Sequence, residues 1–220
     1  MTLSSEDGPP LLSAHDVHLA VAGRTVVEID TLELHAGELV HLRGENGAGK
    51  TTLLRAVAGE TPHGGRLRIA GHPPGSLAAR ARTAFVPTDP TLLDDLTLAE
   101  NLTFLSAAWH QPPDAALDLA EAFGLAPWLD AWPMSLSRGT RQKAALSLHL
   151  GLALPLNLLD EPFSTLDVAS RDVLRRAIAG RVREGGTVVI TTHGDELSGM
   201  ATRPLDLVGG RLREPVGAAW

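Results

Sequence analysis

The stretch Gly44-Glu45-Asn46-Gly47-Ala48-Gly49-Lys50-Thr51-Thr52 governs the interpretation of this sequence. Its glycines at 44 and 49 are separated by four residues and followed by Lys and Thr, and they leave room for a backbone loop whose N–H groups point at phosphate oxygens. Lys50 would place a positive charge on the β- and γ-phosphates of a nucleotide, and Thr51 would offer a hydroxyl ligand to Mg²⁺. We therefore predict that the whole stretch binds a nucleotide. The alternative is a Gly-rich turn between a strand and a helix.

The residues on both sides of this stretch favour nucleotide binding. Residues 39–42 form a short apolar run that is typical of a strand. A helix is predicted after the stretch, because one helical face collects Leu53, Leu54, Val57 and Ala58. Gly59 is a typical helix-ending residue. A helix in this position directs the positive end of its dipole at the bound phosphate.

Length and composition limit the possible functions. A chain of 220 residues can bury one sizeable α/β core, whereas two independent domains would be cramped. Asp and Glu exceed Lys and Arg by 26 to 19, which gives a formal net charge of −7 and argues against a surface that coats nucleic acid. Cysteine is absent, which excludes disulfides and thiolate chemistry and fits a reducing compartment.

Residues 1–10 are acidic and lack the basic and apolar parts of a signal peptide, so we expect a short flexible tail followed by one domain over residues 11–220. The apolar region 144–159 is interrupted by His149, Pro155 and Asn157 and is too short to span a membrane. If a membrane is involved, a partner chain is expected to supply it.

The order of secondary-structure signals predicts an α/β fold. Residues 11–37 and 66–69 alternate like the strands of a small antiparallel sheet. Residues 92–132 carry helical signals and are expected to form a helical insertion. The remainder alternates between strand and helix, with strands at 156–159, 188–192 and 205–208 and a helix at 168–182. Such alternation implies a parallel sheet.

A second candidate site follows the strand at 156–159. The strand ends in Asp160 and Glu161, at the edge where a parallel sheet opens onto its ligand crevice. Asp160 can hold Mg²⁺ through water, and Glu161 can polarise a water for attack on a phosphate. On its own, an apolar run that ends in Asp-Glu is as often a strand that enters a solvated turn. Beside a phosphate loop, the catalytic interpretation is favoured.

These segments resemble, in order and spacing, the ATP-binding cassette (ABC) ATPases. The most specific match is residues 136–143, Leu-Ser-Arg-Gly-Thr-Arg-Gln-Lys, which are similar to the family's signature sequence. The alternative is that Ser137 caps a helix and that Arg141 and Lys143 are solvated. Residues 164–167 resemble the loop that crosses the family's dimer interface, and His193 resembles its switch histidine.

The resemblance implies a P-loop NTPase (RecA-like) core, an N-terminal antiparallel β-subdomain and a helical subdomain at about 92–150. It also implies a head-to-tail dimer, in which each ATP lies between the phosphate loop of one copy and Ser137 and Gly139 of the other. The roles that it implies are Lys50, Glu161 and His193 for catalysis, and Thr51 and Asp160 for Mg²⁺.

Four positions depart from the family pattern. Where the family usually has a Gln that reaches Mg²⁺ and the attacking water, this chain has Thr88, which is shorter but can offer its hydroxyl as a ligand to Mg²⁺ or to the water. We expect slower or more loosely coupled hydrolysis. Where the family commonly stacks an aromatic ring on the adenine, Val21 offers an apolar face and forfeits about 0.5–1.5 kcal/mol of stacking. Thr140 and Lys143, where Gln and Arg are typical, are milder changes.

The function that the resemblance implies is the ATP-hydrolysing subunit of a transporter, docked on separate integral membrane permease subunits at the cytoplasmic face of the cell membrane. The short chain is reminiscent of small exporter-type cassettes, including those associated with haem export for cytochrome maturation. Two alternatives stay open. One is a soluble ABC ATPase that acts on ribosomes or DNA, although no coiled-coil insertion supports it and no nucleic acid is expected as a partner. The other is a nucleotide-regulated binding module with weak turnover.

Overall fold

The computed structural model describes residues 8–200 and 203–215. The expected flexible tail, residues 1–10, therefore lies mostly outside the described residues. Within them, the α/β class is confirmed, because helices alternate with the strands of one nine-stranded sheet. No helix in the described ranges has the length and apolarity needed to cross a membrane.

The sheet joins an antiparallel part to a parallel part. Its strands, in chain order, are β1 (Leu12–Val21), β2 (Arg24–Leu34), β3 (Leu39–Arg43), β4 (Gly64–Ile69), β5 (Thr83–Val86), β6 (Leu156–Asp160), β7 (Thr187–Thr191), β8 (Arg203–Val208) and β9 (Arg211–Arg213). In space they run β4-β1-β2-β9-β8-β3-β7-β6-β5. β1 pairs antiparallel with β2 and β4, whereas β3, β5, β6, β7 and β8 are joined by parallel pairings.

The antiparallel strands lie in the same sheet as the parallel strands. The short strand β9 pairs with β2 through Glu28 and Arg211 and with β8 on its other side, so the two parts form one continuous surface. The turn that makes this possible contains Gly210, whose φ of 77° is left-handed. A Cβ at Gly210 would lie 2.9 Å from the Val26 carbonyl oxygen, so the close approach of this turn to β2 requires glycine.

Six α-helices accompany the sheet within the described residues, besides two single-turn 3-10 helices, Ala126–Trp128 and Pro133–Ser135. They are α1 (Lys50–Ala58), α2 (Leu77–Arg80), α3 (Leu98–Ala108), α4 (Asp114–Ala122), α5 (Arg138–Gly151) and α6 (Val168–Arg183). Helices α3 and α4, and all of α5 but its last residue, fall within residues 92–150, where the helical subdomain is expected. Helix α3 begins with a capping box between Thr97 and Glu100, which satisfies backbone N–H groups that the first helical turn leaves unpaired.

The parallel strands position the candidate site. β6 and β7 are buried along their whole length, and Asp160 lies in register with Thr191 on the neighbouring strand. Thr191 in turn lies beside Leu42, near the end of β3. The loops that follow β3, β6 and β7 therefore leave the sheet at one edge, where ligands of parallel sheets bind.

Candidate functional site

The predicted phosphate loop connects β3 to α1 in a conformation that only glycine accommodates. Gly49 caps α1 with a φ of 106° and no side-chain hydrogen bond, so the first backbone N–H groups of the helix are available to an anion. A Cβ at Gly49 would lie 2.6 Å from Val27 Cγ2, and one at Gly44 would lie 2.7 Å from the Leu207 carbonyl oxygen. Side chains at these positions would push the loop away from the sheet.

Lys50 is held inside this loop. Its side chain is buried, with 7% of the residue exposed. Nζ donates hydrogen bonds to the carbonyl oxygens of Gly44, at 2.7 Å, and Glu45, at 3.1 Å. The ammonium group therefore faces the centre of the loop, where it can contact the phosphates of a bound nucleotide.

Asp160 collects three hydroxyl groups. It is almost fully buried, with 1% exposed. Its Oδ2 accepts from Thr51 Oγ1 at 2.7 Å and from Thr88 Oγ1 at 3.0 Å, and its Oδ1 accepts from Thr191 Oγ1 at 2.8 Å. Hydroxyl and carboxylate oxygens are the donors that Mg²⁺ prefers. The residues predicted to hold Mg²⁺, Thr51, Asp160 and Thr88, thus converge on one oxygen and fit that ion.

Glu161 projects from the same strand end into the site. Its backbone is left-handed, with a φ of 50°, and its N–H donates to Thr191 Oγ1 at 2.8 Å. Burial raises the pKa of the Glu161 carboxyl, while His193 and Lys50 favour its ionised form. Oε1 is buried and lies 3.0 Å from His193 Nε2, close enough for an ion pair. Each carboxylate oxygen can accept more than one hydrogen bond, so the group can also accept one from water.

His193 follows β7 and is half-exposed beside Glu161. A hydrogen bond stabilises the loop that carries His193, because Thr192 Oγ1 donates to Glu196 Oε2 at 2.7 Å. The predicted catalytic residues Lys50, Glu161 and His193 therefore lie at one edge of the sheet, next to the hydroxyls around Asp160. Their catalytic roles stay predictions.

Ser137 and Gly139 lie at the N-terminus of α5. Ser137 caps α5, because its Oγ accepts from Thr140 N at 3.1 Å, and Gly139 packs so closely on residues 164–167 that a Cβ would lie 3.0 Å from Thr165 O. Lys143 Nζ donates to Asp167 Oδ2 at 2.8 Å, and this bond, with Ser170, holds the pKa of the Asp167 carboxyl well below its usual range. Within the described ranges, neither Ser137 nor Gly139 hydrogen-bonds to the phosphate loop of its own chain.

Val21 is not among the residues that line the groove beside the phosphate loop. It is half-exposed at the end of β1. The groove has a volume of about 660 Å³ and is lined by Val26, residues 44–48 and residues 207–210. Val26, Leu207 and Val208 are apolar residues of this surface that sequence reasoning missed. Contact of Val21 with the adenine stays a prediction.

Thr191 is a further residue that sequence reasoning missed. Its hydroxyl donates to Asp160 and accepts the Glu161 N–H, so one buried side chain orients both acidic residues. The sequence carries a weak signal for it, namely a pair of polar residues that end the apolar run of β7. Nothing in that pattern shows which neighbouring strand the hydroxyl faces.

A glycine loop that holds a lysine, opposite a strand-end Asp-Glu pair with hydroxyl ligands, defines a P-loop nucleoside triphosphatase. The comparisons with known proteins narrow this class. The family model described as ABC transporter matches residues 27–164. This chain belongs to that family and is an ATP-binding, ATP-hydrolysing subunit of the ABC transporter type.

Individual relatives agree with this assignment. The cytochrome c biogenesis ATP-binding export protein CcmA of Xanthomonas axonopodis pv. citri is 39% identical over 194 residues, which cover 84% of this chain and 88% of the relative. The aliphatic sulfonates import ATP-binding protein SsuB of Delftia acidovorans is 38% identical, with coverages of 91% and 80%. The Fe(3+) ions import ATP-binding protein FbpC of Pseudomonas fluorescens is 37% identical over 83% of this chain, but over only 54% of its own length.

A solved structure is also similar. The protein titled "Structure of ATP binding subunit of ABC transporter" superposes with a TM-score of 0.84 at 28% sequence identity. The match covers 92% of this chain and 88% of that one. The expected P-loop NTPase fold is thereby confirmed.

Proposed function

We propose that two copies of this chain bind and hydrolyse ATP as a head-to-tail dimer, docked on separate integral membrane permease subunits at the cytoplasmic face of the cell membrane, and that this hydrolysis drives transport. The observation that carries the proposal is the cluster at Asp160. Three hydroxyls converge there, at 2.7, 2.8 and 3.0 Å. One of them belongs to Thr51, which follows Lys50 of the phosphate loop, and Glu161 is the next residue after Asp160.

The residues divide the chemistry between them. The backbone of the phosphate loop and Lys50 bind the β- and γ-phosphates. Glu161 orients a water for in-line attack on the γ-phosphate, and His193 stabilises the charge that develops there. Thr51, Asp160 and Thr88 hold Mg²⁺, which when bound neutralises negative charge on the phosphate oxygens.

The placement of Ser137 and Gly139 supports a dimer. They form the exposed N-terminus of α5, a 14-residue helix, and this end can bind an anion. Because they do not contact their own phosphate loop within the described residues, the nucleotide that they meet belongs to a second copy. Closure of the dimer around ATP, and its opening after hydrolysis, then supplies the movement that is passed to the permease.

The names of the relatives bear on which subunit sets the direction of transport. Their names include an export protein and two import proteins at similar identity, so the direction of transport is assigned to the permease and not to this chain. The net charge of −7 supports the absence of nucleic acid from the partners.

A single-turnover ATPase measurement tests the proposed chemistry. Glu161→Gln keeps the size of the side chain but removes the carboxylate, and we expect hydrolysis to slow by about 100-fold or more, the usual contribution of a positioned base. Glu121→Gln, at an exposed position on α4, is the matched control and should hydrolyse ATP at the wild-type rate. Equal rates for the two variants would refute the role of Glu161.

A further inference from the structure

Arg138 connects the N-terminus of α5 to the segment that carries Thr88. It is the first residue of α5, and its side chain is half-exposed. Nη2 donates a hydrogen bond to the Thr88 carbonyl oxygen at 3.3 Å, and Nε lies 3.6 Å from Asp89 Oδ1. The planar, forked guanidinium group lets one side chain contact both acceptors, which a lysine ammonium does less well.

Thr88 extends this contact to the Mg²⁺ site. While its carbonyl accepts from Arg138, its hydroxyl donates to Asp160 Oδ2 at 3.0 Å. The same oxygen accepts from Thr51 at 2.7 Å. A continuous path of hydrogen bonds therefore leads from α5 to the oxygen atoms that fit Mg²⁺.

The segment after Thr88 is anchored separately at its far end. Asn101 is fully buried, and its Oδ1 accepts from Leu93 N at 2.8 Å. Its Nδ2 donates to the carbonyl oxygens of Leu93, Leu96 and Thr97 at 3.0–3.1 Å. Residues 89–92 thus run between two anchors, and Arg138 acts at the one next to Asp160.

The side chain of Thr88 is short, so its position depends on its backbone. A hydroxyl on Cβ can reach Asp160 only if the Thr88 backbone stays close to the strand end, whereas a longer side chain could adjust by rotation about its own bonds. Fixing the Thr88 carbonyl therefore fixes the distance between its hydroxyl and Asp160.

We propose that Arg138 is a positioning residue, which holds the Thr88 hydroxyl on Asp160 and so links the Mg²⁺ site of each copy to its own Ser137 segment. The inference rests on the proposed function, because Ser137 is assigned there to the nucleotide of the second copy. In each copy, the N-terminus of α5, which contacts the ATP of the other copy, is thereby coupled to the copy's own Mg²⁺ site.

Binding of Mn²⁺ to the ADP-loaded protein, measured by electron paramagnetic resonance, tests the inference without hydrolysis. Arg138→Ala should weaken Mn²⁺ binding by about two- to tenfold, the range that one net hydrogen bond supplies. Arg138→Lys should retain part of the affinity. Arg183→Ala is the matched control, since Arg183 is also exposed and donates to a backbone carbonyl, that of Ala179, but lies on α6. It should bind Mn²⁺ like the wild type.

A double-mutant cycle with Thr88→Val separates positioning from a general structural effect. Without the Thr88 hydroxyl, Arg138→Ala should cause no further loss of Mn²⁺ affinity. Hydrogen exchange of residues 88–92 should speed up in Arg138→Ala and not in Arg183→Ala. An equal effect of Arg138→Ala with and without the Thr88 hydroxyl, or an affinity like that of the control, would overturn the inference. Failure of the proposed function would be seen instead as a wild-type protein that binds Mn²⁺–ADP normally but does not hydrolyse ATP.

Discussion

Replacement of Thr191 by Val should impair both stability and catalysis. Valine has nearly the same shape, so the substitution removes the hydroxyl and little else. That hydroxyl donates to Asp160 Oδ1 and accepts from the Glu161 N–H, each at 2.8 Å, in a place where Thr191 is fully buried. Water cannot take over either bond without opening the strand end.

The expected loss follows from these two contacts. A hydrogen bond to an ionised group contributes about 1.5–3 kcal/mol, and a buried donor left without an acceptor costs about 1–3 kcal/mol. Because the site relaxes in part, we expect the free energy of unfolding to fall by about 2–4 kcal/mol. Glu161, whose N–H loses its acceptor, should also shift, and single-turnover hydrolysis should slow by about tenfold or more.

The same strand offers a matched control. Thr187 lies at the opposite end of β7, is equally buried, and donates one hydrogen bond, to the His35 carbonyl oxygen at 2.6 Å. Thr187→Val should cost about 1 kcal/mol and leave the rate of hydrolysis unchanged. Urea unfolding and rapid-quench hydrolysis measure both effects. If the two variants lose the same stability and hydrolyse ATP equally fast, the argument that Thr191 orients the acidic pair is refuted.

Three further predictions concern affinity, rate and pH. Thr88→Gln should raise the steady-state ATPase rate, because a longer amide reaches Mg²⁺ and water together; unchanged turnover and unchanged stimulation by the permease would contradict this. Val21→Tyr should lower the ATP dissociation constant by about two- to tenfold if the ring stacks on adenine, measured by calorimetry with GTP as the comparison. Desolvation lowers the pKa of His149 in the folded protein to about 4, below its ordinary value of 6.5. Between these two pH values the unfolded chain protonates His149 and the folded protein does not. The free energy of unfolding therefore falls as the pH drops from 6.5 toward 4. His149→Leu should lose about 1–2 kcal/mol less stability between pH 7 and pH 5 than the wild type in urea titrations; equal losses would show that His149 does not contribute.

The parallel core and the phosphate loop could be predicted because local patterns specify them. The glycine spacing at 44 and 49 encodes a loop that closes only without side chains, and the apolar runs at β3, β6 and β7 are typical of strands buried on both faces. Each of these patterns is contained in a few neighbouring residues. The loop and the strands can therefore be predicted without knowing which residues pack against them.

The joining strand β9 and the contact of Thr191 with Asp160 could not be predicted because they depend on distant pairings. β9 has three residues, too few for a periodic signal, and it exists because β2 and β8 pair with it. Thr191 meets Asp160 only through the register of β6 with β7, 31 residues apart in sequence. Val26 borders the groove because the Gly210 turn folds over it. Each case is decided by tertiary pairing rather than by local composition.

Sedimentation of Glu161→Gln with ATP and Mg²⁺ tests most directly whether two copies share each nucleotide. We predict a dimer with ATP and a monomer with ADP. Adding Ser137→Asp should abolish the dimer while each monomer still binds ATP, because Asp caps α5 as well as Ser does but repels the γ-phosphate of the other copy. Ser76→Asp, at the cap of α2, should leave the dimer intact. A monomer at saturating ATP, or a dimer that survives Ser137→Asp, would contradict the shared site.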